Sequence, residues 1–548
     1  MKSKIDMNTS FTLTGQINLG NRTSSQGGAD GIGLAFHTGN ITDIGKSGAN
    51  LGIGGLQNVI GFKLDTYHNG YRTPQANEDG AKVASTEPNG YGWNTDPDGT
   101  LFPQFGAFVK TSQKPVQAQD GKYYSRWWAT TDKSSVQKLN LGDLDGKFHD
   151  FVVSYDGSNR KLTIKYTETG GNVLTWSTSI PDEHQAMAMV VSASTDGNKN
   201  LQQLKISSFD FKQAATVNVK YVDQKGNRLA QGSVSYPSGA DVNGTYDTKR
   251  LNIPNYTFIG MSNSDITGGT SKPASGTLSK PGDNGTVIYV YAPAYSTSKV
   301  KTVTETVHYI GQDGKPVAND ASGIPTSFVT ITNPIDGSTA TYYSKTESGQ
   351  PTLNNNGVPV GDWTQGNSTD FAAIINPSVI GQHVVSTTDP GNDLTQTTVK
   401  SIDSNSDNLD FTVTYEPNQE AANVTYIDDT TGKTLSAKDL TGDYGSTDPY
   451  RTGDTIADYE KQGYQLVSDN YPTKGVVYNQ DGTVQSFEVH LTHGTTQTSE
   501  SQTVNETIHY VYKNGDKAAD DYQATPLNFT RTVTTDKVTG DKNLSSIF

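Results

Sequence analysis

Asp65, Tyr67 and Asn69 fall on alternate positions of one short segment, GFKLDTYHN (61–69). Side chains of a strand alternate faces with period two. Phe62, Leu64 and Thr66 therefore share one face, and Lys63, Asp65, Tyr67 and Asn69 share the other. A buried face does not collect an acid and an amide unless something receives them. Calcium takes roughly six to eight hard oxygen ligands from carboxylates, amide and main-chain carbonyls, and water. A strand leaving its sheet as Asp-x-Tyr-x-Asn can offer the Asp65 carboxylate, the Tyr67 main-chain oxygen and the Asn69 amide oxygen. A further carboxylate is needed, and Asp79, Asp96 and Asp98 follow in an acidic, Gly/Pro-rich loop. On spacing alone, Asx turns that end the strand account for Asp65 and Asn69 equally well.

A second segment, GGADGIGLAFH (27–37), is a glycine-flanked acid entering an apolar strand. Asp30 should sit at a strand mouth with its carboxylate free to accept hydrogen bonds. Hydrolysis of a glycosidic bond would instead need two carboxyls ~5–9.5 Å apart, and no strand pattern in 1–213 supplies them. HExxH, GxSxG and P-loop motifs are also absent from the sequence. The expectation is a binding protein and not an enzyme, with a glycoside hydrolase as the disfavoured alternative.

The elements around these residues are β throughout. In 1–213, FTLTGQINLG (11–20), FHDFVVSYDGSNRKLTIKYTE (148–168) and LQQLKISSFDF (201–211) alternate, with a hairpin turn at 156–159. Four of the five tryptophans lie here, and no long run has helical period. About ten strands without helices imply a sandwich of two sheets, or jelly roll.

The remainder is repetitive. ETVHYIGQDGKPVAND at Glu305 returns as ETIHYVYKNGDKAADD at Glu506, and VNVKYVDQKGNRL at Val217 returns as ANVTYIDDTTGKTL at Ala422. Short and long units alternate, giving the expected domains 1–213, 217–294, 303–417, 420–494 and an incomplete long unit, 503–548. The polar stretches 296–298 and 495–505 read as short extended joints.

With 548 residues and a formal charge of −15, the chain has several domains and no basic stripe for nucleic acid. Mean hydropathy is −0.60, and no window approaches the ~18 apolar residues of a membrane span. A cysteine-free chain rich in Thr, Asn, Asp and Gly fits the exported surface proteins of Gram-positive bacteria. MKSKIDMNTS has no apolar signal core and KNLSSIF no anchor. The incomplete last unit favours a piece of a longer, extracellular, cell-wall-attached protein over a cytoplasmic one.

ADG before an apolar strand, SGANLGIGG (47–55), GFKLDTYHN, a DP dipeptide and the ending SASTDGNKNLQQLKISSFDF together resemble the L-type (legume-like) lectins, closest to lectin modules of bacterial surface adhesins. The fit runs from about residue 5 to 211; the family normally has a further stretch ahead of KIDMNTSFTLTG, so the domain is expected to lack its first strand. The resemblance implies a concanavalin-like all-β sandwich and assigns roles. Asp30, usually preceded by a cis peptide in the family, would accept two sugar hydroxyls. Main-chain N–H groups around Gly48 and Ala49 would donate to the sugar. Asn69 would place its oxygen on calcium and its N–H on the sugar, and Tyr67 its carbonyl on calcium and its ring on a sugar face. Asp65 and Asp96 would be the calcium carboxylates. The loop 195–200, with Gly197 and Asn198, would form the specificity rim. Plant members place a glutamate two residues before the acid as a transition-metal ligand; Lys63 stands there, so one Ca²⁺ and no second metal is expected.

The short units, VKYVDQKG (219–226) and VTYIDDTTG (424–432), resemble MucBP modules, and the long units resemble the repeats of lactobacillal mucus-binding proteins. That resemblance implies β-grasp-like elements in an elongated array. The joint expectation is a monomeric surface adhesin for host mucin or glycoprotein glycans, terminal sialic acid and galactose-type sugars both remaining open. The repeats are read as a stalk that could also supply extra mucus-binding units, since no aromatic-plus-acid cluster in them stands out; the alternative makes them the main mucin-binding part. His308 and His509 are read as cross-strand packing residues.

Overall fold

A computed structural model describes residues 2–75, 91–117, 123–263 and 269–548. The chain forms two compact units: Met1–Lys299 with Thr330–Ala340 and Gln350–Gly361, and Val300–Val329 with Thr341–Gly349 and Asp362–Phe548. Strands dominate both, as the alternation predicts.

The first unit begins with an antiparallel sandwich. One sheet runs in the order Ile5–Asp6, Ala186–Ser194, Gly31–His37, Ile60–Asp65, Phe105–Gln117, Tyr123–Thr131, with Gln137–Lys138 also paired to Phe105–Gln117. The facing sheet runs Val173–Ser179, Lys161–Thr167, His149–Asp156, Phe11–Asn18, Gln203–Asp210. The 148–168 hairpin forms as read, with Asp156 paired to Lys161 and its carboxylate holding the Ser158 N–H at 3.0 Å. Inward residues from both sheets make one core. Phe62 lies at its centre, with ring centroids 4.9 Å from Trp176 and 5.6 Å from Phe108.

Every residue of Ile60–Asp65 is buried, not only its core face. The loop 47–55 folds over the outer face of this sheet and makes a second small core of Ala35, Ile53, Leu56, Val59 and Val109. Gly33 permits this approach, because a Cβ there would stand 2.0 Å from the Leu51 carbonyl oxygen.

The first short repeat comes directly after the sandwich. Its central strand Ala215–Asp223 pairs antiparallel with Arg228–Ala230 and parallel with Gly282–Pro293, which pairs antiparallel with the edge strand Tyr256–Met261. The same order recurs in the second unit around Gln419–Asp428 and around Glu305–Gly311. The repeated sequence VxYxD thus marks the central strand of a four-stranded mixed sheet. The second short repeat adds the helix Gly453–Lys461, whose Ile456 is buried.

Three readings change. The segment 495–505 is no joint: Thr495–Val504 pairs residue by residue with Leu527–Asp536. Likewise Ser296–Thr297 pairs with Thr332 and Ile331. Threonine-rich polar runs favour extended backbone, and pairing depends on a partner strand that lies far off in sequence. His308 and His509 do not pack as apolar cross-strand residues; they pair with Asp320 at 2.9 Å and Asp521 at 2.6 Å.

Phe62→Ala should destabilise the sandwich by about 3–5 kcal/mol. Chemical denaturation followed by tryptophan fluorescence would read this, since four tryptophans lie in this domain. An unchanged midpoint would remove Phe62 from the centre of the core.

Candidate functional site

Three strand ends meet at one rim of the sandwich. Gly31, at the start of its strand, is paired on one side with Asp65 and on the other with Ser194. Asp30 therefore stands between the end of Ile60–Asp65 and the loop that begins after Ser194. Close approach requires the glycine: a Cβ on Gly31 would lie 2.2 Å from the Leu64 carbonyl oxygen, and its φ is +145°. The Ala29–Asp30 peptide is cis. The Asp30 main chain is tied in place by its N–H on Ser194 O (2.9 Å) and by Thr66 N–H on Asp30 O (2.8 Å).

A cavity of about 290 Å³ opens above this rim. Its lining brings together Asp30, Gly48, Ala49, Tyr67, Asn69, Gly197 and Asn198, all seven residues read from the sequence as sugar contacts. It adds Ala29, Arg72, Trp93 and Asp196. Arg72 and Trp93 were not legible as site residues. They reach the pocket through the short pair of strands Arg72–Gln75 and Tyr91–Trp93, and the Arg72 guanidinium sits 5.4 Å from the Trp93 ring centroid. The Trp93 indole N–H donates to Gly70 O at 2.8 Å, which fixes the ring.

Asp30 is buried, with its Oδ2 lacking any hydrogen-bond partner. Burial raises its carboxyl to about 6, with Asp196 and Asp96 adding to the rise and Lys63 opposing it. One expected donor is committed elsewhere: the Gly48 N–H donates to Ser194 Oγ at 2.5 Å. That bond ties the loop 47–55 to the rim.

Beneath the pocket lies an ionic triad. Lys63 Nζ donates to Asp65 Oδ2 at 2.8 Å and to Asp96 Oδ1 at 2.6 Å, all three side chains being at least 95% buried. Burial alone would lower the Lys63 pKa; Asp65 and Asp96 more than offset it and hold the ammonium charged. Burial pushes the Asp65 carboxyl upward, against the pull of Lys63. The other carboxylate oxygens order the chain beyond the strand. Asp65 Oδ1 accepts the Tyr67 N–H at 3.1 Å, and Asp96 Oδ2 accepts the Asn69 N–H at 2.9 Å. Asp96 N–H returns a bond to Asn69 O at 2.9 Å. Of the two described acids among the three offered by the sequence, Asp96 is the one beside Asp65 and Lys63. Asp98 is exposed and caps its own turn through Thr100 and Leu101, and Asp79 lies outside the described residues.

The residues fit a single hard cation. Asn69 Oδ1 is buried without a hydrogen-bond partner, and each carboxylate oxygen of Asp65 and Asp96 keeps a second lone pair. Three buried acids, Asp30, Asp65 and Asp96, face one ammonium, so the floor is electron-rich. They do not fit a second ion on the far side of Asp65 and Asp96, where the Lys63 ammonium already stands. Among the described residues no group of three or more His, Cys, Asp or Glu has metal-binding geometry, so main-chain and amide oxygens would have to complete any shell.

Residues 1–208 match the legume lectin beta-barrel domain family, 216–292 the MucBP domain, 420–493 the MucBP_2 mucin binding domain, and 495–546 the Muc B2-like domain. A serine-rich adhesin for platelets from Staphylococcus aureus strain N315 is 30% identical over 371 residues, 64% of this chain. The chain spans 15% of that relative's length. Mub-RV is 42% identical over 23% of this chain and 68% of the solved structure, with a TM-score of 0.21. A type 2 repeat of the mucus binding protein MUB from Lactobacillus reuteri is 34% identical over 23% of this chain and 74% of its own, with a TM-score of 0.19.

Lys63→Met would leave two buried carboxylates without their counter-charge. Removing one partner of a buried ion pair costs about 3–5 kcal/mol, so the denaturation midpoint of the sandwich should fall sharply. A midpoint within error of the parent would show that Asp65 and Asp96 do not rely on the ammonium.

Proposed function

We propose that this chain, a legume-type lectin domain followed by MucBP-type and Muc B2-like repeats, is the binding segment of a surface adhesin that recognises glycans on host mucins or glycoproteins. The observation that carries the reading is Asp30: a buried carboxylate with an unsatisfied oxygen at the base of an open pocket whose wall holds Tyr67 and Trp93. Sugars offer vicinal hydroxyls to such an oxygen and a C–H face to such rings.

One Ca²⁺ would be held by Asp65, Asp96, the Asn69 amide oxygen and the Tyr67 carbonyl. Bound there, it would balance the acidic floor and hold the 66–69 segment before the sugar arrives. The chain's own residues do the recognition. Asp30 accepts hydroxyl protons, Asn69 donates from its amide nitrogen, and Asp196, Gly197 and Asn198 limit what fits at the rim. The pocket is shallow, so a monosaccharide should bind weakly, on the order of 1 mM or about −4 kcal/mol. Adhesion would then come from many copies on many glycans. The repeats serve as a stalk. Among the described residues no helix is long and apolar enough to cross a membrane, and placement on a bacterial surface rests on the adhesin reading.

A glycan array with the whole chain, with calcium and with chelator, tests this. Asp30→Ala should abolish binding of the array's neutral sugars while leaving calcium uptake intact; Asp65→Ala should lose both. Normal binding by Asp30→Ala would place the sugar elsewhere.

The titration of Asp30 adds a second expectation. Its folded pKa of about 6 lies above the ordinary 3.8, so without calcium the folded state holds a proton across that window. Stability contributed by this group falls as pH rises from about 4 to 6. Glycan binding needs the ionised form, and because a bound Ca²⁺ favours that form, binding should weaken on acidification below about 6. Isothermal titration across pH 5–7.5 would show the slope in the parent, and a pH-independent affinity would remove Asp30 from the site.

A further inference from the structure

The first short repeat carries a cleft of about 450 Å³ lined in part by Arg250, Asn252, Tyr256, Thr257, Phe258 and Tyr291. Tyr256, Thr257 and Phe258 lie on the edge strand of the repeat's sheet, opposite Pro293, Ala292 and Tyr291. Arg250 comes from the loop DTKRLN (247–252), and its guanidinium lies 5.7 Å from the Phe258 ring centroid.

That loop is held rigidly. Tyr291 Oη accepts the Leu251 N–H at 3.0 Å and donates to Leu251 O at 2.8 Å. Tyr221 Oη donates to Lys249 O at 2.6 Å, and Thr248 N–H donates to Ala274 O at 2.9 Å. Every anchor is on the main chain, so the Lys249 and Arg250 side chains are left exposed. Neither makes an ion pair with a described carboxylate. Asp223, whose charge acts on Tyr256, has its carboxylate taken up by the Lys225 and Asn227 N–H groups and the Asn227 amide, each at 2.8 Å. In a chain of formal charge −15, two adjacent cations that form no ion pair with a described carboxylate, beside a pair of rings, form a local exception.

The other short repeat lacks this arrangement. Its Arg451 turns back onto Asp448 O and Tyr450 O at 2.8 and 2.6 Å. Its edge-strand Tyr464, which matches Tyr256 in register, is covered by Tyr459 and His493, at centroid distances of 5.6 and 5.3 Å. The helix Gly453–Lys461 supplies Tyr459. The fold of the repeat therefore does not demand an open cleft or an unpaired arginine there.

We propose that this cleft is a second glycan subsite, specific for an anionic sugar at a chain end. Arg250 would grip a carboxylate or sulfate with its planar fork, and Tyr256 and Phe258 would take the apolar face of the ring. The shared chemistry is one negative group on a pyranose; a sialic acid carboxylate and a sulfate ester both supply it. The site stands apart from the Asp30 pocket, and its test is built to read separately from that pocket.

The test uses the whole chain carrying Asp30→Ala, with and without Arg250→Gln, in saturation-transfer NMR and titration calorimetry. The probes are 3′-sialyllactose, 3′-sulfated lactose and lactose. Expected are signals from one or both anionic probes, weakening as salt is raised, no signal from lactose, and at least a tenfold loss of affinity with Arg250→Gln. Signal from the sialylated probe alone identifies a carboxylate site, from the sulfated probe alone a sulfate site, and from both a site that reads charge. Arg250 is exposed, and an unchanged melting curve separates loss of its grip from unfolding. No binding of either anionic probe, equal binding of lactose, or binding indifferent to Arg250→Gln would overturn the proposal. If the Asp30 reading were the one at fault, Asp30→Ala would bind as the parent does while Arg250→Gln still removed the anionic signal.

Discussion

The Lys63 ammonium between Asp65 and Asp96 is the contact on which the lectin rim depends. Two carboxylates brought together in a dry interior repel each other and lose their hydration. Lys63 makes their meeting tolerable, and its head also lies 4.9 Å from the Phe105 ring centroid. Each acid spends one oxygen on the ammonium and the other on a main-chain N–H just past the strand. The path of 66–69 and the position of 94–96 are therefore set by the same pair of side chains. Tyr67 and Asn69 reach the pocket because Asp65 and Asp96 are pinned.

A triad with two acids and one base still carries a net negative charge, and Asp30 adds another nearby. The rim is thus stable enough to be preformed and remains attractive to a cation or to hydroxyl donors. A pocket made from strand ends suits this balance. The sheet supplies fixed positions through its ladder, while the loops before Gly31 and after Asp65 and Ser194 carry side chains free of the pairing rules.

Much of the site was legible because its residues sit where the strand pattern breaks. Asp65 is an acid on a strand buried on both faces, and Asp30 is an acid at the mouth of an apolar strand. Period-two alternation singled out Asp65, the glycine-flanked strand mouth singled out Asp30, the resemblance to legume-like lectins supplied the remaining pocket residues, and the repeats marked the central strand of each later sheet. Other features depend on partners distant in sequence. The use of the Gly48 amide required knowing that Ser194, 146 residues away, ends its strand beside it. Trp93 and Arg72 enter through a strand pair too short to announce itself. The strand Thr495–Val504 is exposed throughout, so no burial pattern separates it from a linker.

The junction between the sandwich and the first repeat shows how a binding pocket can be carried without a hinge. The hairpin strand Arg228–Ala230 covers the central strand Ala215–Asp223 only at Tyr221 and Val222. Beyond it, Val219 would present a bare edge. The Asn40 side chain fills that place as a strand would, its Nδ2 donating to Val219 O at 2.6 Å and its Oδ1 accepting the Val219 N–H at 3.0 Å. Arg228 reaches Asp43 at 2.9 Å, and Lys212 bridges Asp6 and Asp241 at 2.8 Å each. The main chain adds Ala214 N–H on Lys4 O at 3.0 Å. A flexible joint would let a weakly bound tip dissociate and reorient independently of its first repeat. Here these bonds and ion pairs tie the sandwich to its first repeat. Any second contact made by the repeat then acts at a defined distance from the first, the condition under which two weak contacts multiply rather than merely coexist.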